Sequence, residues 1–251
     1  MIFYFSGCGN SRFIAQSLAN DEELVFIPDA MREKRYRYAL QNGENVGFVF
    51  PIYSWCPPQL VIDFIDRIKF DNAPSYVWMA VTCGGNAGMA EKVFRQHLAD
   101  IGLPLHGAFC FVMPNTYVNM AGMSIDKESV AQRKIAKAKE TLPTVAQHIA
   151  ERKSISTMRK GLFPYFKTYV IGKSFGKWVS DKPFHYTDKC IACGKCVSVC
   201  PLKNISLENG HPRWNGNCTN CEACYHHCPQ NAIQFGKATA GKGQYYFKQN
   251  T

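Results

Sequence analysis

Eight of this chain's twelve cysteines fall between Cys190 and Cys228, and their spacing constrains the fold more than any other feature. Cys190, Cys193, Cys196 and Cys200-Pro201 form one C-x-x-C-x-x-C-x-x-x-C-P run. Cys218, Cys221, Cys224 and Cys228-Pro229 form a second, at an offset of 28, with Ile205 and Ile233 following in the same relation. Three thiolates spaced two residues apart wrap one face of an iron–sulfur cubane, while the fourth lies too far round and serves the other cluster. One ligand set is therefore expected to be Cys190, Cys193, Cys196 and Cys228, and the other Cys218, Cys221, Cys224 and Cys200. That makes two [4Fe-4S] sites related by a pseudo-twofold. Structural zinc is the alternative, but it needs only two C-x-x-C pairs and leaves a third cysteine in each run, and a fourth before proline, without a role. So small a unit has few side chains for a core, and cluster binding is expected to supply most of its folding energy.

Upstream the chain reads differently. Strands are expected at 2–5, 24–27, 46–50, 76–82 and 108–113, alternating with helices at 11–18, 59–68, 87–99 and 126–152, the last kinked at Pro143. A further short helix is expected over 30–42. This pattern is α/β: one open, doubly wound, five-stranded parallel sheet whose strands are apolar on both faces. The expected division is 1–152 for that domain, 153–183 for an interdomain segment, 184–236 for a small α+β cluster unit and 237–251 for a loosely ordered tail. A composition that is 46% hydrophobic and 19% charged excludes a disordered chain. No apolar stretch approaches the roughly 18 residues of a spanning helix, and Met1 leads straight into the first strand. The expected location is cytoplasmic, where clustered thiols stay reduced and more often bind metal than form disulfides.

Three loops fall at the carboxyl ends of expected strands, where open parallel sheets bind ligands. The first, Ser6-Gly7-Cys8-Gly9-Asn10-Ser11-Arg12, opens a helix. It is neither G-x-G-x-x-G, because Arg12 replaces the third glycine, nor a P-loop, which needs G-K-[ST]. Its backbone N–H groups and the Ser6 and Ser11 hydroxyls suit a phosphate at a helix N-terminus; a capped helix start is the alternative. The second is Pro51-Ile52-Tyr53-Ser54-Trp55-Cys56-Pro57-Pro58, and the third is Thr82-Cys83-Gly84-Gly85-Asn86-Ala87-Gly88. Met113-Pro114-Asn115-Thr116-Tyr117 is a further candidate to close the site. Cys110 alternates within a strand and is expected in the core, Cys56 and Cys83 are expected to line the site, and His226-His227 is expected to face solvent or pack.

The cysteine runs resemble the bacterial two-[4Fe-4S] ferredoxin family at all eight positions. The first loop resembles the flavodoxin phosphate loop, with Cys8 where threonine is common. That resemblance implies FMN, its phosphate held by Ser6, Gly7, Cys8, Gly9, Asn10 and Ser11. Its ring would lie between Pro51, Ile52, Tyr53, Ser54 and Trp55 on one side and Thr82, Cys83, Gly84, Gly85 and Asn86 on the other. One domain offers a single mononucleotide site, which favours FMN over FAD or NAD. Because these loops are uncharged, the flavin is expected to be easier to reduce than in an acidic flavodoxin. The whole chain resembles the flavodoxin/ferredoxin fusion proteins of anaerobic bacteria and archaea.

That resemblance implies electron transfer between two clusters and FMN, with a soluble redox protein as donor or acceptor and possible homodimerisation. The alternative is a reductase of a small acceptor: a quinone, nitro compound, disulfide or free flavin. The formal charge of +10 invites a third reading, a redox-sensing nucleic-acid or membrane binder. Residues 127–182 carry 13 Lys+Arg against 4 Asp+Glu, whereas 1–126 carry 9 against 12. Two clusters and a flavin phosphate would bring the total to roughly +4, so nucleic acid is not expected. The 153–183 stretch interleaves aromatic and basic residues and is expected to be an interdomain helix with its aromatic face packed.

Overall fold

The computed structural model describes residues 1–248. Strand β1 (Ile2–Tyr4) leads through the first loop into α1 (Asn10–Ala19), then β2 (Leu24–Phe26) and α2 (Ile27–Arg32). After β3 (Arg37–Tyr38) come β4 (Asn45–Pro51), α3 (Gln59–Ile65), β5 (Lys69–Phe70), β6 (Tyr76–Cys83), α4 (Ala90–Asp100), β7 (Gly107–Val112) and α5 (Glu128–Ala150). The main sheet runs β2-β1-β4-β6-β7, parallel throughout, which is the flavodoxin-like order. Period-2 alternation buries both faces. Val77, Met79 and Val81 of β6 join Phe3, Phe48, Phe64 and Phe94 on one side; Tyr76, Trp78 and Ala80 join Ile2, Ile14 and Phe109 on the other. The Trp78 ring lies where a Cβ on Gly47 would be, 2.2 Å from its Cζ2, so only glycine fits there.

Residues 30–42 do not form the expected helix. Pro28 fixes the first turn of an earlier one, α2, and Arg37–Tyr38 then extends to pair in parallel with Lys69–Phe70 of β5. Helix α5 runs unbroken through Pro143.

After α5, Ser156 bridges to Ala108 along the outer edge of β7, and the chain enters a helical segment. This comprises α6 (Pro164–Phe166), a π-helical stretch (Lys167–Gly172) and α7 (Lys173–Phe175). The aromatic face expected to pack is exposed instead. Thr168 and Gly172 form the buried side, because Gly172 sits against Cys56 Sγ with no room for a side chain.

The cluster unit comprises β8 (Phe184–Tyr186), α8 (Lys195–Val199), the hairpin β9 (Ile205–Glu208) and β10 (His211–Trp214), α9 (Ala223–His226) and β11 (Ile233–Phe235), which pairs antiparallel with β8. Val118 from the main domain enters its core beside Phe184, Ile205, Tyr225 and Ile233.

The tail is not loose as far as Lys248; Gln249 to Thr251 of that expectation lie outside the described residues. Phe247 stacks on Phe13 of α1 with ring centroids 4.4 Å apart, and its N–H donates to the Cys8 carbonyl. Tyr245 donates its N–H to His226 Nδ1 and its hydroxyl to Asn10 Oδ1, while Lys242 Nζ donates to the carbonyls of Val118 and Met120. The tail is thus a strap across both units. Among the described residues no helix is long and apolar enough to cross a membrane.

Candidate functional site

The strand order reverses between β1 and β4, which opens a crevice at their carboxyl ends. A cleft of about 470 Å³ occupies it, a volume suited to a small organic cofactor. Around it lie Ser6, Gly7, Cys8, Asn10 and Ser11 from the first loop, Pro51, Ile52, Tyr53, Ser54 and Trp55 from the second, and Thr82, Cys83, Gly84, Gly85 and Asn86 from the third. Of the sixteen residues that the resemblance assigns to FMN, Gly9 is outside the lining. Its φ of 93° turns the chain into α1, and a Cβ there would lie 2.9 Å from the Phe247 carbonyl.

Each loop is shaped locally. The Ser6 hydroxyl accepts the Gly9 N–H, and α1 begins with no side-chain cap, so its first-turn N–H groups have no capping acceptor. Ser11 Oγ and Thr82 Oγ1 are 2.7 Å apart; one proton joins them and the other hydroxyl keeps a donor. In the second loop, Tyr53 and Cys56 exchange backbone hydrogen bonds around Ser54 and Trp55, both left-handed at φ 47° and 63°. Two non-glycine residues in that region store strain that the closed turn sustains. Lys167 Nζ covers the Trp55 ring at 5.4 Å. In the third loop the space beside Gly85 is open, and Gly84 offers its carbonyl to Lys134 Nζ. Asn86 Oδ1 is buried in the cleft wall without a hydrogen-bond partner.

Met113 to Tyr117 also line the cleft, as do Met120, Met123, Ile171, Phe175 and the trio Asn220, Cys221 and Glu222. The linker and cluster-unit residues carry no local sequence signal, because they reach the cleft only through docking of one unit on the other. Cys56 is a correction. It lies outside the lining, donates its thiol to the Thr168 carbonyl and is pushed up to about 11 by burial. Cys83 lines the cleft with its sulfur 3.6 Å from Cys110, and its hydrogen bond with Cys110 and its burial hold it as a thiol. Burial raises the Cys8 and Tyr53 values too, so the cleft walls stay neutral there. Among the described residues Glu222 is the one acidic side chain of the lining; it is buried, its carboxyl raised by desolvation and held by the Val118 N–H at 3.0 Å. His226 does not face solvent: it is buried, with Nε2 donating to the Thr116 carbonyl at 2.7 Å.

In the cluster unit, Cys190, Cys193, Cys196 and Cys228 line one cavity together with Ile191, Pro212 and Ile233. Cys196 feels Cys190 and Cys228, whereas Cys224 feels Cys221, Cys218 and Cys200. The spacing expects these same groupings, Cys190, Cys193, Cys196 and Cys228 in one set and Cys218, Cys221, Cys224 and Cys200 in the other. Among the described residues no three Cys, His, Asp or Glu side chains are gathered to hold a single ion. The backbone repeats at the same offset as the cysteines: left-handed residues recur at Ala192 and Asn220, Gly194 and Glu222, and Lys203 and Asn231. The Asn204 N–H donates to Cys200 Sγ at 3.3 Å and the Ala232 N–H to Cys228 Sγ at 3.2 Å. Such bonds stabilise charge on sulfur and tune a cluster's potential. Burial pushes the Cys196 and Cys218 thiols up to about 11, so metal must displace their protons.

The family model of the 4Fe-4S dicluster domain matches residues 189–233. The pyruvate synthase subunit PorD of Methanothermobacter marburgensis is 39% identical over 59 residues, which cover 24% of this chain and 70% of that one. The chain belongs to the 4Fe-4S dicluster family. Among solved structures, the Trp repressor binding protein of Bacillus subtilis is 15% identical and covers 61% of this chain and 99% of its own, with a TM-score of 0.39. The NAD(P)H:quinone oxidoreductase of Methanothermobacter marburgensis is 13% identical and covers 57% and 94%, with a TM-score of 0.34. The dicluster unit makes this an iron–sulfur redox protein. In the same chain, Cys221 stands in the wall of the cleft, and a Cβ on Gly7 would lie 2.7 Å from its carbonyl oxygen.

Proposed function

We propose that this chain transfers electrons between two [4Fe-4S] clusters and an FMN bound in the cleft, coupling one-electron carriers to a flavin within one polypeptide. The observation that carries the reading is Cys221, which belongs at once to the second cysteine set and to the wall of the cleft. The residues fit the cofactor. The α1 N-terminus with Ser6 and the Ser11–Thr82 hydroxyl pair offers donors to a phosphate, Trp55 offers a ring to cover a flat heterocycle, and the open space beside Gly85 lets a polar edge approach the backbone. A bound flavin stores two electrons and exchanges them singly with iron–sulfur centres. Cys8, held as a thiol by burial, and the Tyr53 side chain keep water and charge from the space between cleft and cluster loop.

The donor or acceptor at the cluster end would be a soluble redox protein, in keeping with the relative in a pyruvate synthase, and the setting would be cytoplasmic. Because both sites meet in one chain, transfer needs no dimer. The exposed Met120 and Met123 leave the mouth open to a small acceptor, which favours as second reading a reductase fed through the clusters. The test is anaerobic reconstitution with iron, sulfide and FMN, followed by rapid reduction through the clusters. The expected result is about eight iron atoms and one FMN per chain, with the flavin absorption bleaching after the cluster absorption. Protein that binds no FMN, or whose reduced clusters leave the flavin oxidised, would overturn the reading. Saturable turnover of one acceptor would mark a reductase.

A further inference from the structure

The helical segment 162–178 is built inside out. A helix resting on a domain ordinarily turns its large apolar residues inward. This one rests on Thr168 and Gly172, its two buried residues, and Thr168 is pinned by accepting the Met89 N–H at 2.9 Å and donating to the Trp55 carbonyl at 3.0 Å. Its large side chains point away: Leu162 and Phe163 are each 77% exposed, Trp178 is 65% exposed, and Phe166 and Val170 are more than half exposed. Among the described residues, seven of the twelve exposed large hydrophobic side chains lie in this segment. The packed orientation is fixed by the Thr168 bonds and the Gly172 contact, so the apolar face cannot roll inward without breaking them.

Charge selects what covers this face. From Arg152 to Ser180 the sequence holds seven Lys or Arg and no Asp or Glu. Arg159, Lys160, Lys173 and Lys177 are exposed around the apolar residues. An apolar stripe with Trp and Phe, flanked by long basic side chains whose stems extend along it and whose heads reach outward, matches the interface of an anionic bilayer. An acidic protein partner would satisfy the lysines without using Leu162, Phe163 and Val170, and a nucleic acid would leave the aliphatic side chains against water. Ile171, one turn from Phe175 and itself exposed, belongs both to this face and to the mouth of the cleft.

We propose that residues 159–178 form an interfacial docking surface for anionic membranes, holding the chain on the bilayer with the cleft mouth beside the lipid. The docking is independent of whether the cleft holds FMN, so its failure would leave the redox reading untouched.

The test is sedimentation of the anaerobically prepared holoprotein with phosphatidylcholine vesicles, with and without about 30 mol % phosphatidylglycerol. The wild-type chain is expected to co-sediment at least tenfold more with the anionic vesicles, and to be released at about 0.5 M salt. Phe163→Asn/Phe166→Ser/Trp178→Ser, which removes only exposed rings and gives the left-handed position 163 a tolerant residue, is expected to lose binding at least tenfold while keeping its cluster absorption. Lys160→Glu/Lys177→Glu, an independent variant with the rings intact, should lose it as well. No sedimentation at low salt would overturn the proposal. So would full retention by the ring variant, which would mean simple charge attraction; equal or tighter binding to duplex DNA; or a lipid-free dimer that the ring variant dissolves, which would make the face a self-interface.

Discussion

Gly7 and Cys221 touch so closely that a Cβ on Gly7 would lie 2.8 Å from the Cβ of Cys221. The loop at the head of α1 and the loop of the second cysteine run are therefore fitted to each other at the scale of a hydrogen atom. Gly7→Ala is expected to force them apart at about 1–3 kcal/mol, the usual cost of overpacking. Thermal unfolding would register the loss, and rapid mixing would show slower reduction of cleft-bound FMN by the clusters. An alanine variant as stable and as fast as the parent would mean the two loops are free to separate.

The crossed ligand sets expected from the cysteine spacing make an arithmetic prediction. Cys190→Ala and Cys228→Ala are expected to lose the same cluster, so each single variant and their double should retain about half the iron. Cys190→Ala with Cys200→Ala should lose nearly all of it, although both residues lie in the first run. Iron analysis of reconstituted protein decides between this and uncrossed sites, for which the two doubles would exchange outcomes.

The sheet and the dicluster unit were legible because each is written locally, the strands in short runs apolar on both faces and the unit in two cysteine runs at a fixed offset. What escaped depends on where two units meet. Gly9 reads as part of a phosphate loop, but it turns the chain and makes room for Phe247. The tail reads as loose because Gly, Lys and Gln carry no periodicity, yet its anchors are Tyr245 and Phe247, whose partners His226, Asn10 and Phe13 lie far away in sequence. The linker's amphipathic pattern was visible, but pattern alone does not say which face is inward. That was settled by one hydroxyl, Thr168, and one missing side chain, Gly172.

Thr168 tests that orientation. Its hydroxyl is wholly buried and links the linker to both Met89 at the head of α4 and the Trp55 turn. Thr168→Val keeps the shape but leaves the Met89 N–H and the Trp55 carbonyl unpaired, at an expected cost of about 1–3 kcal/mol. Thr168→Ser should recover most of it. Urea unfolding followed by circular dichroism provides the comparison; a valine variant matching the parent would show that water replaces the hydroxyl and that the linker is not pinned here.

Trp55 separates a binding role from a structural one, because its ring and its backbone make opposite predictions. At φ 63° it sits where a side chain costs about 1 kcal/mol and glycine costs little. Trp55→Gly therefore relieves the turn while removing the ring that faces the cleft, and the reversal itself stays closed by the Tyr53–Cys56 backbone pair. Unfolding stability is expected to hold near the parent's, whereas FMN affinity, followed by quenching of flavin fluorescence, should fall about tenfold from the lost aromatic contact and apolar area. Trp55→Phe should restore part of the affinity without the gain at the backbone. Undiminished FMN binding by the glycine variant would remove Trp55 from the cofactor's contacts and leave its ring a support for Lys167 and Gly88 alone.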